Sequence, residues 1–423
     1  MSRGHVYHRR NLILLVGGNA TSALGTSVYL IALVLYLTET TSSATILGAV
    51  QFLAYVPGVI LGPIAGAHVD RVRRVSVIVA ADVFRGVIVI VAGLFGLMTG
   101  SMPIALIFVV TVLYGAGSAF FLPAVNALVP EIVPAESVKR TNGWKNGLQQ
   151  IANLAGNAVG GVLFAVLGAP VLFVANGLSF LLSAASEAAM RVDERPTPTS
   201  RASLFTSARH GLRYVRDHRG AAWLIGVSAA INFVAPPIVI AVPFLVIDGL
   251  GLPAQFVGFA FAALLAGGVF GFLVVGAGRN VAGFRTLISA LAVLSVALTA
   301  GGAILGPVPL FVLLVVAGGA VATVHLIGHT AIQTGVPRFM RGRVYALLET
   351  AGMIAAPVAY LVSGPIVDRL DGEFAPLFIA LGLAIGGVAV AAFSARSLRI
   401  LIGRTSRSGR GPSERRQPRI FVD

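Results

Sequence analysis

The sequence predicts an all-α membrane protein with twelve spans, divided six and six. Three observations carry that reading. Of 423 residues, 57% are hydrophobic and only 11% charged, with a mean hydropathy of +0.90. A soluble domain carries about 25% charged residues, so this chain cannot cover itself with polar surface. The apolar residues come in runs of about 20 or more, long enough at ~1.5 Å rise per residue to cross a ~30 Å hydrocarbon core. Finally, the basic residues fall between the runs, in alternate loops. Membrane barrels are excluded because their strands are only about 10 residues long and open sheet edges cannot face lipid.

In chain order, the first six spans are read at 11–37, 44–68, 75–99, 103–129, 140–167 and 170–190, an N-terminal six-helix bundle over 1–190. The second six are read at 221–247, 254–277, 284–305, 308–336, 344–367 and 374–395, a C-terminal bundle over 221–395. Between them, 191–220 is a linker. Pro196 and Pro198 interrupt any helix, then Leu204, Ala208, Leu212 and Val215 repeat at helical spacing with Arg209, Arg213 and Arg216 on other faces. That pattern predicts an amphipathic helix lying on the inner membrane surface against anionic lipid, or else a solvated charged linker. The Arg-rich tail, 396–423, is expected to be disordered.

Lysine and arginine orient the chain. With a cytoplasmic N-terminus, 29 of the 31 basic residues fall inside, leaving Arg369 outside and Arg85 within a span. So lopsided a division places both termini in the cytoplasm and requires an even number of spans.

Several classes are excluded. There is no Cys, hence no disulfide framework, thiolate nucleophile or Cys-based metal site. The net charge of +15 sits in short loops between spans, which argues against nucleic acid as a partner. His8-Arg9-Arg10 superficially resembles a twin-arginine signal, but the apolar run behind it is too long and more spans follow. No phosphate-binding Gly-x-x-x-x-Gly-Lys-Ser/Thr loop, His-Glu-x-x-His or Gly-x-Ser-x-Gly occurs, so no enzyme activity, ATP hydrolysis or cofactor is expected.

The halves look related. His8-Arg9 and His218-Arg219 each precede a first helix, and Val129-Pro130 and Val336-Pro337 each close a fourth. Parallel six-helix repeats place a substrate site between the halves near the midplane.

The most specific local signal joins the second and third helices. Gly58, Gly62, Gly66 and Asp70 are spaced by four and line one helix face, where small residues let a neighbouring backbone approach. The turn Gly66-Ala67-His68-Val69-Asp70-Arg71-Val72-Arg73-Arg74 resembles the loop motif of the major facilitator superfamily. In that family the Asp and Arg brace the cytoplasmic gate against helix eleven, which makes Gly66, Asp70, Arg71 and Arg74 the expected gate residues. Arg73 stands where the pattern usually has Gly.

The wider text resembles the enterobactin-exporter and macrolide-efflux branch. The resembling pieces are Ala80-Ala81-Asp82-Val83-Phe84-Arg85, Phe120-Phe121-Leu122-Pro123-Ala124 through Val129-Pro130, and Gly342-Arg343-Val344. The resemblance runs from about residue 10 to residue 393. The helix-five kink of such exporters corresponds to Gly156, Asn157, Gly160 and Gly161, with Asn157 where Pro is usual. The helix-four Arg of some drug/proton antiporters corresponds to Thr111.

Ionisable groups inside spans cost a few kcal/mol unless paired or wetted. Asp82 and Arg85, three apart on one helix, read as a structural pair or a coupling site. Glu187 is expected to snorkel to the inner surface. Glu349, expected to be buried near the inner end of helix eleven, reads as a proton-coupling acid or a partner of the Asp70 turn. His325, His329 and Gln333 form a polar stripe on helix ten. The resemblance implies that helices one, four, seven and ten line a cavity. The stripe would then face substrate together with Asn19, Thr26, Tyr114 and Asn232. His-x-x-x-His is also a metal spacing, but no nearby carboxylate completes a site, and no metal is expected.

The resemblance implies a secondary transporter exporting small amphipathic organic molecules, drug-, macrolide- or siderophore-like, by alternating access with proton antiport. Its partners would be that substrate, protons and the lipid bilayer, and it would act as a monomer. Twenty-nine Arg against two Lys suggest a GC-rich genome and a bacterial plasma membrane. The rival readings are an importer or lipid transporter of the same fold, and a non-transporting receptor or assembly subunit.

Overall fold

The computed structural model describes residues 3–194, 204–277, 283–304 and 306–407. Among them there is no strand. The helices are α1 (Arg3–Thr41), α2 (Ala44–Val69), α3 (Arg74–Thr99), α4 (Ile104–Ile132), α5 (Val138–Ala188), α6 (Leu204–Asp217) and α7 (Arg219–Phe244). Then come α8 (Gln255–Ala277), α9 (Phe284–Ala303), α10 (Pro307–Gly335), α11 (Arg341–Asp368), α12 (Ala375–Ser394) and α13 (Arg396–Arg407).

Among the described residues, eleven of these helices are long and apolar enough to cross a membrane. The 51-residue α5 would be about 76 Å long if straight, far more than a bilayer holds. It breaks at Gly168 (φ 74°, ψ 167°), a left-handed conformation that glycine adopts without a Cβ clash. Pro170 follows as a helix-starting residue. The two limbs are the fifth and sixth spans, so the described helices make twelve crossings, and the start of α1 and the end of α12 lie at one end of the bundle, here called the terminal end.

The packing pattern repeats. In the first half, α1 packs on α5, α2 and α3 on α4, and α3 on α5. In the second, α7 packs on α11, α8 and α9 on α10, and α9 on α12. Advancing every helix by six spans converts one pattern into the other, which is the two-fold pseudo-symmetry expected of six-helix repeats. The halves meet through α2 against α11 and through α5 against α8.

Glycine permits these contacts. A Cβ at Gly48 would sit 2.5 Å from the Tyr360 carbonyl oxygen, and one at Gly364 would sit 2.6 Å from that of Ala44. On the other seam, a Cβ at Gly161 would meet the Gln255 carbonyl at 2.7 Å, and one at Gly258 the Asn157 carbonyl at 2.5 Å. These close approaches lie toward the end opposite the termini. Apolar burial gains little within lipid, so such backbone proximity supplies the attraction.

The Gly58–Gly62–Gly66 face behaves differently from expectation. Nothing lies within 4 Å of a Cβ at any of the three. Gly66 is about five turns beyond Gly48 and therefore on the same helix face. That face is closed against α11 at the far end and open at the terminal end, so the two helices diverge along their length.

Two further differences concern the helix-five stretch and the tail. Residues 156–161 run as regular helix, and α5 bends at Gly168 instead. Gly156 and Gly160 admit α1, near Leu24 and Ser27 and near Val28 and Ile31, while Gly161 admits α8. Asn157 keeps its backbone N–H, so nothing forces a kink there. The tail does not lose order at Ala395. Leu398 and Ile402, one turn apart, are fully buried. They hold α13 against α7 and α10 at the terminal end, where Gly220 meets Ser397 and Gly335 meets Leu401. Residues 408–423 lie outside the described residues.

In the linker, α6 forms where the spacing predicts. Gly211 rests on Arg343 and Leu347 of α11, while Leu212 points outward, 63% exposed. The side chains of Leu204, Ala208 and Arg209 lie outside the described residues, as do Pro196 and Pro198.

Candidate functional site

The polar stripe of α10 gains partners from both of its neighbours. Asn232 on α7 donates from Nδ2 to the Ser228 carbonyl at 2.8 Å and lies 3.4 Å from His325 Nε2. Gly352 of α11 makes room for it, since a Cβ there would fall 3.1 Å from Asn232 Nδ2. One turn further, His329 Nε2 lies 3.3 Å from Glu349 Oε1. Its Nδ1 is 3.2 Å from the Tyr345 hydroxyl. One tautomer satisfies both contacts: the Tyr345 O–H donates to Nδ1, and Nε2–H donates to the carboxylate. Gln333 continues the stripe as an exposed residue.

Glu349 differs from its expected environment. Its side chain is 48% exposed rather than buried. Its partner is the His329 imidazole on the neighbouring helix, not an arginine of the loop before α11. The carboxylate therefore stands as an accessible acid on the wall formed by α10 and α11. Among the described residues, no group of three or more His, Asp or Glu side chains could hold a metal.

In the other half, Thr26 Oγ1 lies 3.4 Å from the Tyr114 hydroxyl. Tyr114 also meets the rings of Tyr29 and Phe180. Asn19 is buried. Sequence reasoning missed a polar contact further along α1, in which Ser27 Oγ donates to Asn153 Oδ1 of α5 at 3.1 Å. Thr111, where the antiporter Arg would stand, is buried.

The turn after α2 is built as a helix end. The Asp70 backbone N–H donates to the Gly66 carbonyl at 3.3 Å and that of Arg71 to the His68 carbonyl at 3.0 Å. Arg74 does not reach α11. Its side chain is buried and pairs with Glu131 of α4 at 2.7 Å. The Glu194 carboxylate receives the Arg74 and Val75 N–H groups at the start of α3, an anion placed at a helix N-terminus. Glu131 and Glu194 were not singled out from sequence. Glu131 had a signal, a carboxylate closing a span after Pro130 and facing an arginine-rich turn.

Asp82 and Arg85 form the expected pair, fully and nearly fully buried. Glu187 does not snorkel. It is fully buried and interacts with Asp82 and Arg85, because the second limb of α5 packs onto α3.

At the far end, Asp368 of α11 joins the halves. It accepts the N–H of Ala44 at 2.6 Å, the N–H of Thr45 at 2.9 Å and the hydroxyl of Ser43 at 3.1 Å. Tyr55 and Tyr360 stack across the same seam, with centroids 5.8 Å apart. Clefts of about 670 Å³ between α7 and α12 and about 870 Å³ beside α3 are lined mainly by apolar residues and contain none of these seam or stripe residues.

Twelve crossings in two repeated halves, joined at one end and parted at the other, define a membrane transporter rather than an enzyme. Residues 15–360 match the Major Facilitator Superfamily, and the chain belongs to that family. It is 25% identical over 366 residues to macrolide efflux protein A of Streptococcus pyogenes, covering 84% of this chain and 88% of that protein. It is 24% identical over 402 residues to the multidrug efflux pump Tap of Mycobacterium tuberculosis, covering 90% and 93%. Among solved structures, the nucleoside transporter NupG superposes with a TM-score of 0.72 at 12% identity, covering 92% of this chain and 99% of that one. A bacterial homolog of the human lysosomal transporter Spinster, inward-facing and occupied, gives 0.70 at 17% identity, covering 97% and 99%.

Proposed function

We propose that this transporter exports small amphipathic organic molecules from the bacterial cytoplasm by alternating access, driven by proton antiport. The observation that carries the reading is the ledge formed by Asn232–His325 and Tyr345–His329–Glu349, polar groups on otherwise apolar helices beside a seam closed at one end only. Apolar walls with a few placed polar groups suit an amphipathic ligand. The accessible Glu349 carboxylate suits the amine that macrolides and many drugs carry.

The basic-residue bias supports cytoplasmic termini, and the far end then faces outward. The arrangement is open to the cytoplasm and sealed outside by Asp368, Gly48 and Gly364, the state that loads a cytoplasmic substrate. We assign two six-helix bundles, 1–190 and 221–395, as the rocking bodies, with 191–220 as their linker. The Gly66–Asp70–Arg71–Arg74 turn and the open glycine face are positioned to meet α11 when the inner end closes. Relatives named for macrolide and multidrug efflux support the substrate class.

The test is erythromycin accumulation in bacteria lacking their own efflux pumps, with and without this protein. Accumulation should fall several-fold when the protein is present and recover on adding a protonophore. Higher accumulation with the protein would make it an importer, and no difference would remove macrolides as substrates.

A further inference from the structure

Asp82, Arg85 and Glu187 form a buried cluster between α3, α4 and the second limb of α5, with Asp82 and Glu187 at 0% exposure and Arg85 at 5%. The Arg85 guanidinium is engaged at each of its three nitrogens. It donates from Nη2 to Asp82 Oδ1, from Nε to the Ala81 carbonyl at 3.3 Å and from Nη1 to Ser118 Oγ at 3.4 Å. Its faces are covered by the rings of Phe121 at 4.1 Å and Phe180 at 4.5 Å. Glu187 Oε1 receives Ser183 Oγ at 3.4 Å, and its carboxyl is a hydrogen-bonding neighbour of that of Asp82. The other two oxygens, Asp82 Oδ2 and Glu187 Oε2, are buried without a protein donor.

Among the described residues, the surroundings add no second cation. From α4 the facing polar groups are Tyr114 and Ser118. From α1, Gly18 backs Ser183, and Arg10 reaches only the Ala189 carbonyl at the exposed end. Two ionised carboxylates against one guanidinium would leave a net negative charge in a dry interior, and adjacent carboxyls do not both ionise there. A single O–H between the two carboxyls removes the surplus negative charge.

We propose that Asp82 and Glu187 are a proton-binding site that holds one proton between them. Binding forms an O–H bond on one carboxyl, breaks no bond within the protein, and takes the cluster with Arg85 from net −1 to neutral. The site adjoins Tyr114, a residue expected to line the substrate path. The Arg85 Cζ lies 6.0 Å from the Tyr114 ring, whose hydroxyl meets Thr26, so substrate displacing Tyr114 disturbs the guanidinium that balances the pair. This deepens the antiport reading and rests on it for the proton's role in transport, but not for its presence.

The test is infrared titration of the purified protein in lipid nanodiscs, following the carboxylic C=O stretch and its shift in heavy water. Wild type should show a protonated, buried carboxyl at neutral pH. That band should vanish in Glu187→Gln, and likewise in Asp82→Asn if the first variant is not recovered folded, and persist in Glu349→Gln. No such band in wild type, or a band unchanged in the Glu187 or Asp82 variant, overturns the site. In proteoliposomes, Glu187→Gln should lose gradient-driven erythromycin uptake. If wild type itself moves no erythromycin while the infrared band behaves as stated, the transport reading fails and the proton site stands.

Discussion

The carboxylate of Asp368 caps α2 from the opposite half of the molecule, accepting the N–H of Ala44 at 2.6 Å and of Thr45 at 2.9 Å. The last residue of α11 thus supplies the anion that the start of α2 lacks on its own side. Helix N-termini attract negative charge through their unpaired N–H groups, and here that attraction spans the seam between halves. Opening the far end must break it.

Asp368→Ala should therefore favour the state open at the far end. Losing a cap costs about 1 kcal/mol, roughly a fivefold change in a two-state ratio. The chain has no cysteine, so a pair introduced as Thr45→Cys and Arg369→Cys reports directly on the seam. Crosslinking across that pair should slow in the Asp368→Ala background. An unchanged rate would make the contact incidental to gating.

Glycine substitutions should separate the two ends. Gly48→Ala forces a Cβ against the Tyr360 carbonyl, whereas Gly62→Ala meets nothing in this state. The first should reduce far-end closure in the same crosslinking assay. The second should leave it intact and instead hinder closure at the terminal end, read by accessibility of a cysteine introduced as Gln333→Cys.

Removing Glu131 should cost stability, since it strands the buried Arg74 guanidinium. Glu131→Gln replaces a 2.7 Å ion pair with a weaker dipole, and hydrogen bonds to charged groups contribute about 1.5–3 kcal/mol. Glu131 is partly exposed, so the lower end of that range applies. Thermal unfolding in detergent should shift downward, while Arg71→Gln, at an exposed position, should leave it unchanged.

Glu349→Gln should weaken recognition of cationic substrates rather than fold. A half-exposed charge pair is worth about 1 kcal/mol at most, so the half-saturating erythromycin concentration should rise roughly fivefold. His329→Ala should produce a similar rise, because it removes the group that orients the carboxylate. Equal affinity in all three proteins would place the substrate away from this ledge.

The features legible in the sequence are those written within one helix. Twelve apolar runs give twelve crossings because length against bilayer thickness leaves no other reading. His325 and His329, four apart, must share a face whatever surrounds them. The features that escaped are contacts between distant segments. Glu187 looks like an edge residue on its own helix, and only the docking of α5 on α3 reveals its carboxyl neighbour. Asp368 is 324 positions from Ala44, and nothing local marks it as a cap. The spacing of Gly58, Gly62 and Gly66 marks one face of α2 as a contact surface, yet in this arrangement nothing lies within 4 Å of a Cβ at any of them, because a helix face read alone does not say which neighbour occupies it. Leu398 and Ile402 show the same limit in the tail, where an arginine-rich composition masked a helical apolar spacing.

The central claim, proton-driven movement of an amphipathic substrate, is tested most directly in proteoliposomes with an acidic lumen and labelled erythromycin outside. A gradient of one pH unit is worth ~1.4 kcal/mol per proton, enough for about tenfold accumulation at one-for-one exchange. Uptake should exceed that of protein-free vesicles by a comparable factor, and should fall to the protein-free level when a protonophore collapses the gradient. Uptake equal to that of protein-free vesicles, or uptake indifferent to the gradient, would contradict the account.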